Sequence, residues 1–230
     1  MALLQAADLR AIAANLHAVE ARIRAACARC GRDPSEVTLI GVTKRVPAAR
    51  VRSAIDACLA DVGENYVQEG LAKRVALGEA GAPVRWHLIG HLQSNKVGAA
   101  LEGFDIIHAV DSVRLAEALS RRASRLTPVL LEVNSTREAS KFGLDPRDVA
   151  PAVATISKLE NLELRGLTTV APATTDEGRL RAVFSEVRLL AEAEGLIELS
   201  MGMTDDFEVA IEEGATMVRI GRAIFGERTP

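Results

Sequence analysis

The chain has 230 residues, with 28 Lys and Arg against 31 Asp and Glu, a formal net charge of −3, and 3% aromatic residues. That length suffices for one well-packed core, and the acidic balance and scarcity of rings argue against a basic nucleic-acid face or a base-stacking platform. No apolar run approaches the ~20 residues needed to cross a bilayer, and the start of the chain reads as helix rather than signal peptide, so a soluble, cytoplasmic protein is expected.

Leu9, Ile12, Leu16, Val19 and Ile23 recur at steps of three and four, which predicts an amphipathic helix over 3–30, closed by Gly31 and Asp33-Pro34. Beyond it, strands are predicted at 37–43, 61–64, 84–89, 106–110, 129–134, 164–170, 196–200 and 217–220. Helices are predicted between them at 48–60, 66–78, 93–102, 112–125, 146–158, 176–194 and 206–213. Several strands are nearly continuous apolar runs, as parallel strands buried on both faces require. Eight strands alternating with helices predict an α/β fold, a single (β/α)8 barrel spanning 1–230 with residues 1–31 as an extra N-terminal helix. The rival is an open doubly wound sheet, which usually carries G-x-G-x-x-G after its first strand. Here that strand ends Gly41-Val-Thr-Lys-Arg-Val-Pro47, so the barrel is preferred.

In a barrel all strands end at one mouth, where the functional side chains gather. Ser200, Gly202 and Gly221 are small residues at the last two strand ends, each before a helix-like run, where backbone N–H groups can approach an anion. Lys44 follows the first strand. A lysine drawn out of water can act as a free amine and form a Schiff base, although a lone lysine starting a loop is more often merely solvated. Asn65, His87, Asn134, Ser200 and Arg219 with Gly221 stand at other strand ends. An amine, a phosphate cradle and a ring of hydrogen-bonding groups are what pyridoxal phosphate requires.

Each of these residues also has a plain structural reading. His87 can be a bonded core histidine, Asn65 can cap the helix starting at Tyr66, and Arg219 can be a salt-bridge partner. Asp205 and Glu208 have the spacing of a capping box. Three cysteines cannot all pair, which fits a reducing compartment, and Cys27-x-x-Cys30 lies on a predicted helix without the further ligands of a metal site. His87 and His91 are four apart in a β-like context that does not bring both rings to one metal, so no metal is expected.

Longer motifs make a resemblance visible: Gly63-Glu-Asn-Tyr-Val-Gln-Glu69, Trp86-His-Leu-Ile-Gly-His-Leu-Gln-Ser-Asn-Lys96, Ser140-Lys-Phe-Gly143, Gly166-Leu-Thr-Thr-Val-Ala-Pro172, Leu199 to Asp206, and Val218-Arg-Ile-Gly-Arg-Ala-Ile-Phe-Gly226. Across nearly its whole length the chain resembles the pyridoxal-phosphate homeostasis protein family, which uses the N-terminal barrel of alanine racemase. The resemblance implies that Lys44 carries pyridoxal 5'-phosphate as a Schiff base. It further implies that Ser200 and the backbone around Met201, Gly202, Gly221 and Arg222 hold the phosphate, with Asn65 and His87 nearer the ring. Arg219 should face the pyridine nitrogen, and as a permanent donor it would keep that nitrogen unprotonated, a poor electron sink. Thr168 stands where methionine is expected, and Thr43 where the family has serine.

The racemase's second proton donor comes from a separate C-terminal domain, and this chain stops where that domain would begin. The resemblance therefore implies a monomeric buffer or carrier of the cofactor, with apo pyridoxal-phosphate enzymes as recipients and no catalytic residue. The alternatives are a minor amino-acid racemase using water or His87 as second base, and a scaffold that needs no cofactor.

Overall fold

The computed structural model describes residues 2–138 and 141–227; Ser140 of the Ser-Lys-Phe-Gly motif lies outside them. Eight strands, β1 (Thr38–Val42), β2 (Asp61–Glu64), β3 (Arg85–Leu88), β4 (Ile106–Val110), β5 (Thr127–Glu132), β6 (Leu162–Thr168), β7 (Glu198–Ser200) and β8 (Met217–Ile220), form one closed parallel barrel. β8 returns to β1 in the register Ile40 to Arg219. The helices are α1 (Ala2–Cys30), α2 (Ala48–Asp56), α3 (Val67–Leu77), α4 (Val97–Gly103), α5 (Val113–Arg122), α6 (Val149–Ile156), α7 (Glu177–Ala193), α8 (Phe207–Glu212) and α9 (Arg222–Phe225). None among the described residues is long and apolar enough to cross a membrane.

Strand residues alternate between two surroundings. Val62, Trp86, Leu88, Ile107, Val129, Leu131, Leu167 and Val218 pack outward with the helices in one continuous core. The inward set is unexpectedly polar: Asp61, His87, His108, Ser200 and Arg219 are all buried and bond to one another across the lumen.

On α1, Ile12, Leu16, Val19, Ile23, Ala26 and Cys27 are buried, while Leu9 is exposed. Gly31 ends the helix at φ +72, the left-handed conformation that glycine adopts without strain. Asn15 Nδ2 donates to Ile224 O at 2.9 Å, so α1 also satisfies a carbonyl of α9. Cys30 is exposed, and its thiol donates back to Ala26 O at 3.3 Å.

Several predicted boundaries shift, α2 ending at Asp56 rather than at residue 60 and β7 starting at Glu198 rather than at residue 196. The runs 93–102 and 146–158 each open with a separate turn, Ser94–Lys96 and Pro146–Asp148, the latter capped by Asp145. β5 and β6 end two residues before the predicted boundary. Val133 and Leu144 pair as an isolated bridge, and Thr169 Oγ1 donates to Val133 O at 2.8 Å, so the chain is already turning over the mouth.

Candidate functional site

Lys44 emerges from β1 on a loop gripped from both sides. Lys73, on α3, donates to Thr43 O and to Glu64 Oε1 and Glu69 Oε1, the carboxylates at 2.5 and 2.7 Å. Thr43 Oγ1 donates to Glu64 Oε1 at 2.5 Å, and the Arg45 amide donates to Glu69 Oε1. Arg45 sits at φ +59, a conformation most side chains avoid and one this cluster holds in place. Glu64 and Glu69 of the Gly-Glu-Asn-Tyr motif therefore shape the Lys44 loop.

Lys44 is half-buried and lines a cavity of about 360 Å³ at the strand C-termini, together with Asn65, Thr204, Arg219, Gly221 and Arg222. Asn65 caps no helix. Tyr66 is the N-cap of α3, which has no side-chain cap. The Asn65 Oδ1 is buried without a partner among the described residues. Gly90 makes room for it, because a Cβ there would stand 2.5 Å from Asn65 O and 2.7 Å from its Cα.

Arg219 is 5% exposed. Its Nη1 donates to Ser200 Oγ at 2.7 Å, Thr168 Oγ1 at 3.0 Å and Ser200 O, and its Nη2 to Thr169 O at 2.7 Å. Burial draws its pKa down, against the opposing pull of Asp206 and Glu132. Thr168, at the position flagged as unusual, is thus an acceptor for Arg219. Among the described residues no carboxylate pairs directly with Arg219, so the salt-bridge reading does not hold.

Three expectations need correction. His87 does not reach the cavity: Nε2 is 2.8 Å from Asp61 Oδ1 and Nδ1 is 2.9 Å from His108 Nε2, inside the lumen. Ser200, Met201 and Gly202 also lie beneath the cavity. Ser200 is the last residue of β7 and its hydroxyl faces His108 and Arg219, while Gly202 at φ +91 turns the chain so that Met203, Thr204 and Asp205 present themselves instead. Finally, Asp205 and Glu208 form no capping box. Asp205 pairs with Arg222 and Glu208 with Arg22, and it is Asp206 that accepts the Met203 amide.

Thr204 is the residue the sequence reading missed. Its signal is a hydroxyl two positions after a glycine at a strand end, readable only once the end of β7 is known. Asn134 serves the β5–α6 loop, donating to Glu138 O at 2.9 Å. Beside the main cavity, and sharing Val170 with it, a smaller one of about 220 Å³ holds Glu132, Lys141 and Phe142. Burial pushes the Glu132 carboxyl up to about 7, with Arg219 opposing and Asp111 reinforcing. His91 Nδ1 lies 3.1 Å from Asp111 Oδ2 and its ring stacks on Phe142 with centroids 3.8 Å apart, so it fastens this loop rather than joining His87.

Comparison with known proteins agrees with this architecture. The family profile of the alanine racemase N-terminal domain matches residues 8–229. A pyridoxal phosphate homeostasis protein of Pseudomonas aeruginosa is 46% identical over 222 residues, covering 94% of this chain and 96% of the relative. That of Escherichia coli K12 is 42% identical over 229 residues, covering 94% and 97%. Among solved structures, PipY of Synechococcus elongatus with PLP bound superposes at a TM-score of 0.82 with 37% identity, covering 94% of this chain and all of that one. An alanine racemase of Clostridium difficile aligns at a TM-score of 0.74 with 16% identity, over 97% of this chain and 57% of the racemase, a likeness of fold alone.

Proposed function

The chain belongs to the pyridoxal phosphate homeostasis protein family, and from that premise we propose that it binds pyridoxal 5'-phosphate through a Schiff base on Lys44 and buffers or carries it inside the cell without efficient catalysis. The observation that carries this reading is that Lys44, Arg219 and Asn65, whose buried side-chain oxygen has no partner among the described residues, line one cavity.

The residues fit the group. An orphaned buried amide is costly unless a ligand completes its hydrogen bonds. Thr204 offers a hydroxyl, and the first turn of α9 offers amides that lack partners within the helix, a suitable setting for phosphate oxygens. Arg222 adds positive charge at the same rim. Bound there, the cofactor supplies an aldehyde that condenses reversibly with amines. Arg219 has only donors, so a ring nitrogen facing it accepts a hydrogen bond and stays unprotonated, which disfavours carbanion chemistry. His87, the residue considered as a second base, has both ring nitrogens engaged away from the cavity.

Tyr66, which N-caps α3 after β2, and the cavity-lining residues Val170 and Met203 are all exposed, so amines from outside have a path to the site. A monomeric, cytoplasmic carrier that hands its cargo to apo-enzymes is the form this reading takes. The test is a titration with pyridoxal 5'-phosphate followed by borohydride reduction and peptide mapping. A yellow complex whose adduct maps to Lys44, with transfer to an apo-enzyme faster than spontaneous release, is expected. An adduct on any other lysine, with Lys44→Ala unchanged in absorbance, would refute the assignment.

A further inference from the structure

The lumen beneath the cavity holds a continuous line of hydrogen bonds. Arg219 Nη1 is 2.7 Å from Ser200 Oγ, Ser200 Oγ is 3.0 Å from His108 Nδ1, His108 Nε2 is 2.9 Å from His87 Nδ1, and His87 Nε2 is 2.8 Å from Asp61 Oδ1. The last carboxylate is also met by Arg85, whose Nε lies 2.7 Å away at the opposite end of the barrel.

With one proton on each ring, the two ends determine the direction of every proton between them. A guanidinium has donors and no acceptor, and an ionised carboxylate has acceptors and no donor. Asp61 is ionised: burial pushes its carboxyl up, but the bonds from His87 and Arg85 outweigh that and bring it below its ordinary value. His87 therefore gives its Nε2 proton to Asp61 and leaves Nδ1 bare to accept from His108 Nε2. His108 Nδ1 is then bare and accepts the Ser200 hydroxyl proton, while Ser200 Oγ accepts from Arg219. With both rings carrying one proton, every proton in the line has an acceptor. Burial, then the neighbouring His87 and Arg219, hold the His108 pKa well below its ordinary value, which keeps that ring neutral. Because the arginine end cannot give up its proton, the line is static and does not conduct.

We infer that His108, His87 and Ser200 are positioning residues for Arg219, fixing the guanidinium by an oriented chain anchored at Asp61 so that its remaining N–H edge is aimed into the cavity. Four acceptors already hold Nη1 and one proton of Nη2 (the Ser200 and Thr168 hydroxyls and two carbonyls). Among the described residues the Nε–H and the second Nη2–H meet no acceptor. This inference rests on the reading of Arg219 as the partner of the cofactor's ring nitrogen, and it gives the buried polar line a purpose beyond filling the lumen.

Two measurements test it. Nitrogen-15 NMR of the cofactor-free protein reads the tautomers directly. Both His87 and His108 are expected to carry their proton on Nε2, and a proton on Nδ1 of either would overturn the chain's direction whatever the cofactor does. The second measurement compares dissociation constants for pyridoxal 5'-phosphate and for its analogue with C–H in place of the ring nitrogen. In the parent protein the analogue should bind about tenfold to a hundredfold more weakly, the range for a hydrogen bond to a charged group. In Ser200→Ala, and independently in His108→Phe, that ratio should fall below about threefold. A merely structural role would weaken both ligands alike and leave the ratio intact, which would refute positioning. A parent ratio near one would instead show that Arg219 does not face the ring nitrogen.

Discussion

Replacing Lys73 by methionine keeps the bulk of the side chain and deletes the charge beneath the Lys44 loop. Glu64 would then be left fully buried, with Oε1 reduced to its bond from Thr43 and Oε2 already without a partner among the described residues. Breaking a buried ion pair from one side costs about 3–5 kcal/mol. Glu64 has an escape, however, because it can take up a proton. Moving a carboxyl with an ordinary value of 4.5 to the neutral form at pH 7 costs about 1.4 kcal/mol per pH unit, or roughly 3.4 kcal/mol, against roughly 0.7 at pH 5.

In the parent, burial already holds Glu64 above its ordinary value despite the bonds from Lys73 and Thr43, so the difference in penalty between the two pH values should be smaller than the full span. The sign follows from linkage. A carboxyl whose folded pKa is raised favours the folded state below its unfolded value and loses that contribution as pH rises through the folded value. Urea unfolding of Lys73→Met should therefore show a loss of about 3–5 kcal/mol at pH 7 that shrinks markedly at pH 5. Adding Glu64→Gln should remove the pH dependence. A penalty equal at both pH values, or below about 1 kcal/mol at pH 7, would mean that the cluster is hydrated and does not hold the loop.

Glu132→Gln tests the second raised carboxyl. With its folded value at about 7, Glu132 costs stability as pH climbs from 4.5 toward 7, so the glutamine variant should gain on the parent above pH 7, by up to about 3 kcal/mol in urea unfolding at pH 8. Equal stabilities at pH 5 and pH 8 would contradict it. Gly90→Ala drives a Cβ into the Asn65 backbone, and a calorimetric loss of about 1–3 kcal/mol together with weakened cofactor affinity is expected; an unchanged dissociation constant would detach Asn65 from the site. Lys44→Ala should abolish the absorbance of the linked cofactor while the protein melts within a few degrees of the parent, since the half-buried side chain belongs to no core cluster.

The barrel was legible because its code is local. Apolar strands of four to seven residues, bounded by helical periods, define each β/α unit without knowledge of any other. Lys44, Asn65, Arg219 and Gly221 were legible for a related reason, as each directly follows such a strand or lies within its last two residues. The lumen was not. Asp61, His87 and His108 lie on three separate strands, and the partners of His108 lie 21 and 92 residues away, so their bonds exist only after closure. The lining at the end of β7 was misread by a few positions because the left-handed turn at Gly202, which takes Ser200 out of the cavity and brings Thr204 in, sits where Ala210 and Phe207 leave no room for a Cβ once α8 packs there. Lys73 and Glu69 stand four apart on α3, a spacing common to surface ion pairs. Nothing local reveals that Glu64 and the Thr43 carbonyl wait beneath them.

Arg222, on the rim between the β7 and β8 loops, is already held by Asp205 and leans toward Glu227. An incoming anion must compete with a resident carboxylate for that guanidinium, so docking is an exchange of partners and the net gain is smaller than the new contact alone. The same carboxylate is at hand to reclaim the arginine when the anion departs, which lowers the barrier to letting go. Under the proposed role of lending the cofactor rather than keeping it, a grip that is contested from within is an advantage.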